Sequence, residues 1–80
     1  MTDRMKMRVL KYMRHVDLQV DQELVIHGLA SVLGLGSEER QWLARAIFEL
    51  MEEGHLAGPP EGGGGRTVLT SSGRALIDNI

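Results

Sequence analysis

The chain has no cysteine, two prolines, and only one each of Tyr, Trp and Phe among its eighty residues. Without thiols there are no disulfides, no thiolate-bound zinc and no cysteine nucleophile, and cysteine usage leaves the redox compartment undetermined. Both prolines stand in Gly58-Pro59-Pro60-Glu61-Gly62-Gly63-Gly64-Gly65, a stretch that is neither helix nor interior strand. No apolar run approaches the ~20 residues of a membrane span. Asp3, Arg4, Lys6 and Arg8 leave the N-terminus without an uninterrupted apolar segment. The expected location is therefore cytoplasmic, with no membrane partner.

What is present amounts to one small domain, residues 1–80. Hydrophobic residues make up 42% of the chain, enough for a compact core. A chain this size buries only about 60% of its unfolded surface, so no deep catalytic cleft and no enzyme activity are expected. The net charge is −2, and its placement is uneven. Residues 1–16 carry Arg4, Lys6, Arg8, Lys11 and Arg14 against Asp3, a net +4. Residues 17–37 hold Asp17, Asp21 and Glu23; residues 38–53 hold five glutamates against Arg40 and Arg45; each block is −3. The remainder balances.

Periodicity sets the expected elements. Met5, Val9, Tyr12, Met13 and Val16 fall on one face at 100° per residue and predict a first helix. Met7 and Leu10 project from its other side, a second contact surface. Asp17-Leu18-Gln19-Val20 alternates polar and apolar and reads as a brief strand or extended connector. Asp21 is the expected N-cap of a second helix with Leu24, Val25, Leu29, Val32 and Leu33 inward; Gly34 and Gly36 end it, and Gly28 marks a close approach by another helix. Ser37 caps a third helix, with Glu38 and Glu39 in its first turn and Leu43, Ala46, Ile47, Leu50 and Met51 inward, closed by Gly54. Residues 55–57 and 66–69 then form a hairpin, and Thr70, Ser71 or Ser72 caps a short last helix carrying Ala75, Leu76, Ile77 and Ile80.

No motif carries catalytic chemistry. The glycines at 62–65 lie between strands and lack the following Lys-Ser/Thr of a phosphate loop. His15, His27 and His55 fall on different elements without metal-ligand spacing, so neither a metal nor a cofactor is expected. Ser71 and Ser72 have no adjacent base and read as capping hydroxyls.

Three segments resemble the multiple-antibiotic-resistance-regulator type and related winged helix-turn-helix regulators. They are Leu29-Ala30-Ser31-Val32-Leu33-Gly34, Leu50-Met51-Glu52-Glu53-Gly54-His55-Leu56, and Leu69-Thr70-Ser71-Ser72-Gly73-Arg74-Ala75-Leu76. The resemblance covers most of the chain. It implies an α+β, mostly α winged helix-turn-helix fold: a three-helix core, a β-hairpin wing at about 55–69 and a short C-terminal helix. It also implies double-stranded DNA as partner, the third helix in the major groove, the wing at the minor groove or backbone, and a homodimer formed through the first helix or added terminal helices. On this chain the DNA contacts are then Gln41, Arg45, Arg66, Arg4, Arg8 and Lys11. The interval from Gly34 to Gly54 departs from the family by about one helical turn.

The outer face of the third helix keeps a second function open. With Leu43, Ile47 and Leu50 inward, Glu38, Gln41, Arg45, Phe48, Glu49 and Glu52 point outward, and only Arg45 is basic. Phosphate binding rests on Lys and Arg, and carboxylates repel it. Trp42 belongs to the edge of the core or to a binding surface, and Phe48 to an interface or to the core of a slightly rotated helix. The alternative to a DNA-binding regulator is a winged-helix adaptor that binds protein through Met7, Leu10 and the Phe48-bearing face.

Overall fold

The structure is a computed structural model that describes residues 2–58 and 66–80; the glycine-rich tip expected in the wing lies outside the described residues, as does the side chain of His27. The elements run α1 (Thr2–His15), β1 (Glu23–Val25), α2 (Ile26–Val32), α3 (Ser37–Glu52), β2 (Leu56–Ala57), β3 (Arg66–Leu69) and α4 (Ser71–Asp78). They form an α+β, mostly helical arrangement with one three-stranded antiparallel sheet in the order β1-β3-β2.

Three helix ends share one device, in which a left-handed residue lets two amides turn back onto the last carbonyls. Gly34 and Gly54 supply it after α2 and α3, at φ 66° and 84°. Leu35 N–H donates to Ala30 O at 3.1 Å and His55 N–H to Leu50 O at 2.9 Å. After α1 the left-handed residue is Asp17 (φ 54°), with Leu18 N–H on Met13 O at 2.9 Å. Of the two expectations for 17–20, a brief strand or a connector, the structure shows the connector, which opens with the turn that ends α1. Leu18 is buried because this turn folds it back onto the last turn of α1.

The second helix is shorter than its periodicity predicts. Asp21, the expected N-cap, is left-handed at φ 67°, and Glu23–Val25 pairs with β3 in the register Glu23↔Val68, Leu24↔Thr67, Val25↔Arg66. Asp21 N–H donates to Leu69 O at 2.8 Å, extending the pairing. Alternation then sorts the side chains: Leu24 is buried while Glu23 and Val25 are exposed. Val32 is also exposed, and no atom lies within 4 Å of a Cβ built at Gly28, so the expected close approach there is absent. Ser37 is the first residue of α3 rather than its cap; Gly36 is the N-cap, and its N–H donates to the Glu39 carboxylate at 3.2 Å.

The Leu-Thr-x-x-Gly-Arg segment has a packing reason for each of its polar positions. Thr70 Oγ1 accepts from Gly73 N–H at 3.0 Å, capping α4, and donates to Gly54 O at 2.6 Å, fastening that cap to the end of α3. A Cβ at Gly73 would stand 2.1 Å from His55 O, so only glycine admits this approach. Arg74 donates to Leu18 O and to the Asp17 carboxylate, both at 2.8 Å, tying α4 to the turn after α1. The His55 ring and the Ser72 hydroxyl are hydrogen-bonded at 3.0 Å beside this junction.

The core joins all the helices to the sheet. Val9 and Met13 of α1, Leu43 and Leu50 of α3, Leu69 of β3 and Ile77 of α4 are essentially inaccessible. Met5 lies with them, but Val16 is exposed beyond the end of α1 and Met51 is only half-buried. Leu10, expected on an outer contact surface, is 6% exposed and belongs to the core. The apolar surface of α1 is wider than one stripe because more than one element packs against it: α3 on one side and α4 on another.

Candidate functional site

Five of the expected site residues lie on α1, and their environments differ. Arg8 donates to Leu33 O at 3.0 Å and stands 3.8 Å from the Glu39 carboxylate. Its guanidinium is partly engaged within the molecule, with the side chain still 41% exposed. Arg4 and Lys11 are exposed and have no ion-pair partner within 4 Å among the described residues. Met7 is 43% exposed and Leu10 is buried, so these two do not form a common contact surface.

The charge asymmetry along the sequence closes on itself where α1 packs on α3. Lys6 Nζ lies 2.8 Å from Glu53 and 3.8 Å from Glu49. The Glu53 hydrogen bond raises the Lys6 ammonium above its ordinary value, against a smaller opposing effect of desolvation. With Arg8 facing Glu39, three of the five glutamates at 38–53 sit against α1 cations. Two α1 cations therefore offset part of the net −3 of that block at the surface, while Glu49 and Glu52 stay on the outward face with Arg45.

That outward face is a continuous stripe. Gln41, Ala44, Arg45, Phe48, Glu49 and Glu52 line one shallow depression along the solvent side of α3. Phe48 is 59% exposed, the outward placement among the two left open by its spacing. Trp42 is half-buried against the core, between α1 and the first turn of α3. The Arg45 side chain is 71% exposed and only 4.0 Å from Glu49, one turn along the helix. Such an exposed pair is worth a few tenths of a kcal/mol at most, so Arg45 is available to an outside partner.

Two residues of this surface were not singled out by the sequence pattern. Ala44 and Arg40 are both exposed, and both line a groove between α2 and α3 with Ile26, Ala30 and Leu43. The signal was present: Gln41, Ala44, Arg45 and Phe48 follow the i, i+3, i+4, i+7 spacing of one helical face. A small apolar residue on that face carries no obvious chemistry by itself, and Arg40 flanks the stripe rather than lying on it.

Arg66 opens β3, apart from the α3 face, with its side chain 63% exposed and 3.9 Å from Glu23 on the neighbouring strand. The arrangement thus brings Gln41, Arg45 and Phe48 together on α3. It sets Arg4 and Arg8 in a separate cleft with Met5, Glu38, Glu39 and Trp42, and places Arg66 on the sheet. Chemically, the α3 stripe offers an amide, a methyl, a guanidinium, an aromatic ring and two carboxylates to whatever meets it. Among the described residues no helix is long and apolar enough to cross a membrane. No family model matches the chain, and no curated protein and no solved structure matches it.

Proposed function

We propose that this domain is a winged helix-turn-helix that binds double-stranded DNA as a small regulator, presenting the outer face of α3 to the major groove. The element order, the β1-β3-β2 sheet and the β2–β3 pair following α3 support that assignment of parts. The observation that carries the reading is the outer face of α3, where Gln41, Ala44, Arg45 and Phe48 stand together with Glu49 and Glu52, while Glu39, Glu49 and Glu53 also lie near α1 cations. A duplex approaching the stripe meets base-reading groups interleaved with two carboxylates. Arg4, Lys11, Arg40 and Arg66 are exposed cations that supply phosphate contacts in this reading.

Titration of fluorescent duplex DNA over a series of salt concentrations tests this. Each phosphate contact contributes a slope of about −0.9 in log K against log salt, so four contacts at most give a slope no steeper than about −4. Arg45→Ala is expected to weaken binding roughly tenfold. Absence of salt-dependent binding at low ionic strength refutes the proposal.

The 59% exposure of Phe48 favours a second reading, in which the same face is a protein contact. Under it, association of the purified chain measured by sedimentation is lost in Phe48→Glu, and DNA affinity is absent from the start.

A further inference from the structure

We infer that the outer face of α3 pairs with the same face of a second copy of this chain, the two helices running antiparallel across a two-fold axis beside Phe48; this deepens the protein-contact reading above and rests on it. At 100° per residue, Gln41, Arg45, Phe48 and Glu52 fall within an arc of about 60°, opposite the stripe of Leu43, Ile47 and Leu50 that enters the core. All four are exposed, the Phe48 ring to 59%. Their alternating spacing of four and three residues is that of a seam between two helices.

The order of side chains along the helix makes this face complementary to itself. Arg45 stands three residues before Phe48, and Glu52 four after it. With the axis between positions 48 and 49, an antiparallel copy brings Arg45 level with the partner's Glu52, and symmetry forms the same pair again on the other side. Glu52 has no cation within 4 Å among the described residues, so the second copy supplies one. The two phenyl rings lie about 1.5 Å apart along the helix direction and meet beside the axis, in the offset contact that aromatic rings prefer. Ala44 flanks them and is small enough to let the helices approach. Glu49 stands on the other flank, where its charge faces Lys6 of its own copy at 3.8 Å and Arg45 at 4.0 Å. A parallel partner sets arginine on arginine and glutamate on glutamate, so the charges select the antiparallel sense. From position 41 to 52 the face is about 16 Å long, one side of one helix against the ~800 Å² per partner of a standard interface. Each stripe also carries one carboxylate more than it has cations. The pair is therefore reversible and forms at high chain concentration.

Sedimentation equilibrium of the purified chain from about 10 μM to about 1 mM tests this, and a monomer–dimer equilibrium within that range is expected. Arg45→Glu and Glu52→Arg each set two like-charged pairs across the axis and weaken association by about tenfold or more. The double variant Arg45→Glu/Glu52→Arg restores opposite charges at both places and returns the affinity to within about threefold of wild type. All these positions are exposed, and circular dichroism verifies that each variant keeps its fold. Association that is lost in Phe48→Glu but is indifferent to the charge reversals, or is not restored in the double variant, overturns the two-fold arrangement and leaves the protein-contact reading standing. Association that survives in Phe48→Glu overturns both. A monomer throughout the range also overturns both, and duplex binding that is lost in Arg45→Glu then assigns the face to DNA.

Discussion

Gly73 and Gly28 both stand in helices, yet opposite outcomes are expected when each becomes alanine. At Gly73 a Cβ would lie 2.1 Å from His55 O, 3.0 Å from His55 C and 2.6 Å from Leu69 Cδ1. The leucine methyl can rotate away, but the carbonyl is backbone and accepts from Thr70 N–H at 3.2 Å. Relieving the overlap requires a shift of about 1 Å between α4 and the entry to β2, an overpacking cost of about 1–3 kcal/mol. Weakening the Thr70–His55 hydrogen bond adds about 1 kcal/mol. The better helix propensity of alanine returns up to about 1 kcal/mol. The expected net loss is about 2–3 kcal/mol, a fall in Tm of about 10–20 °C for a domain of this size. At Gly28 no atom lies within 4 Å, so Gly28→Ala is expected to gain about 0.5–1 kcal/mol and a few degrees in Tm. Thermal unfolding followed by far-UV circular dichroism reads both. A Gly73→Ala protein as stable as wild type refutes the close approach of α4 to the turn after α3.

Two further outcomes follow from α1. Leu10→Ala is expected to cost about 2–5 kcal/mol in urea unfolding, because Leu10 is 6% exposed. Met7→Ala, at a half-exposed position, is expected to stay within about 0.5 kcal/mol; similar small effects at both sites mean that α1 is rotated from the placement described. The raised pKa of Lys6 stabilises the folded state throughout the range below the ordinary lysine value of about 10.4, and that contribution is lost as pH rises through the higher folded value. Wild-type Tm should therefore fall more steeply than that of Lys6→Met above about pH 10.4, with a constant difference below it; parallel curves throughout show that the Glu53 contact does not persist in solution.

Spacing placed Gln41 and Arg45 outside α3, with Leu43, Ile47 and Leu50 inward, and left Phe48 open between an outward and a core position; packing decided for the outward one, at 59% exposure. The same period misplaced Leu10, because a helix packed against more than one neighbour buries more than one stripe, and α4, which also packs on α1, comes from the far end of the chain. Asp17 ends α1 as glycines end α2 and α3, and aspartate is a weaker marker of the left-handed conformation than glycine. Glu23-Leu24-Val25 joins a strand instead of the first turn of a helix because a partner strand at 66–68 supplies hydrogen bonds that the local pattern does not contain.

By itself, then, the sequence determined the elements whose signals are short-range: the long third helix with its glycine stop, the strands Leu56–Ala57 and Arg66–Leu69 and the capped last helix, each settled by period, cap or turn within a few residues. Only the tertiary structure decided the charges. Lys6 meets Glu53 across 47 positions of chain, and Coulomb attraction acts through space with no regard for sequence separation. The basic and acidic blocks that stand apart in the sequence offset each other in part where α1 packs on α3, through Lys6 and Arg8. The face of α3 that remains exposed is consequently less acidic and more varied in chemistry than the net charge of its segment implies.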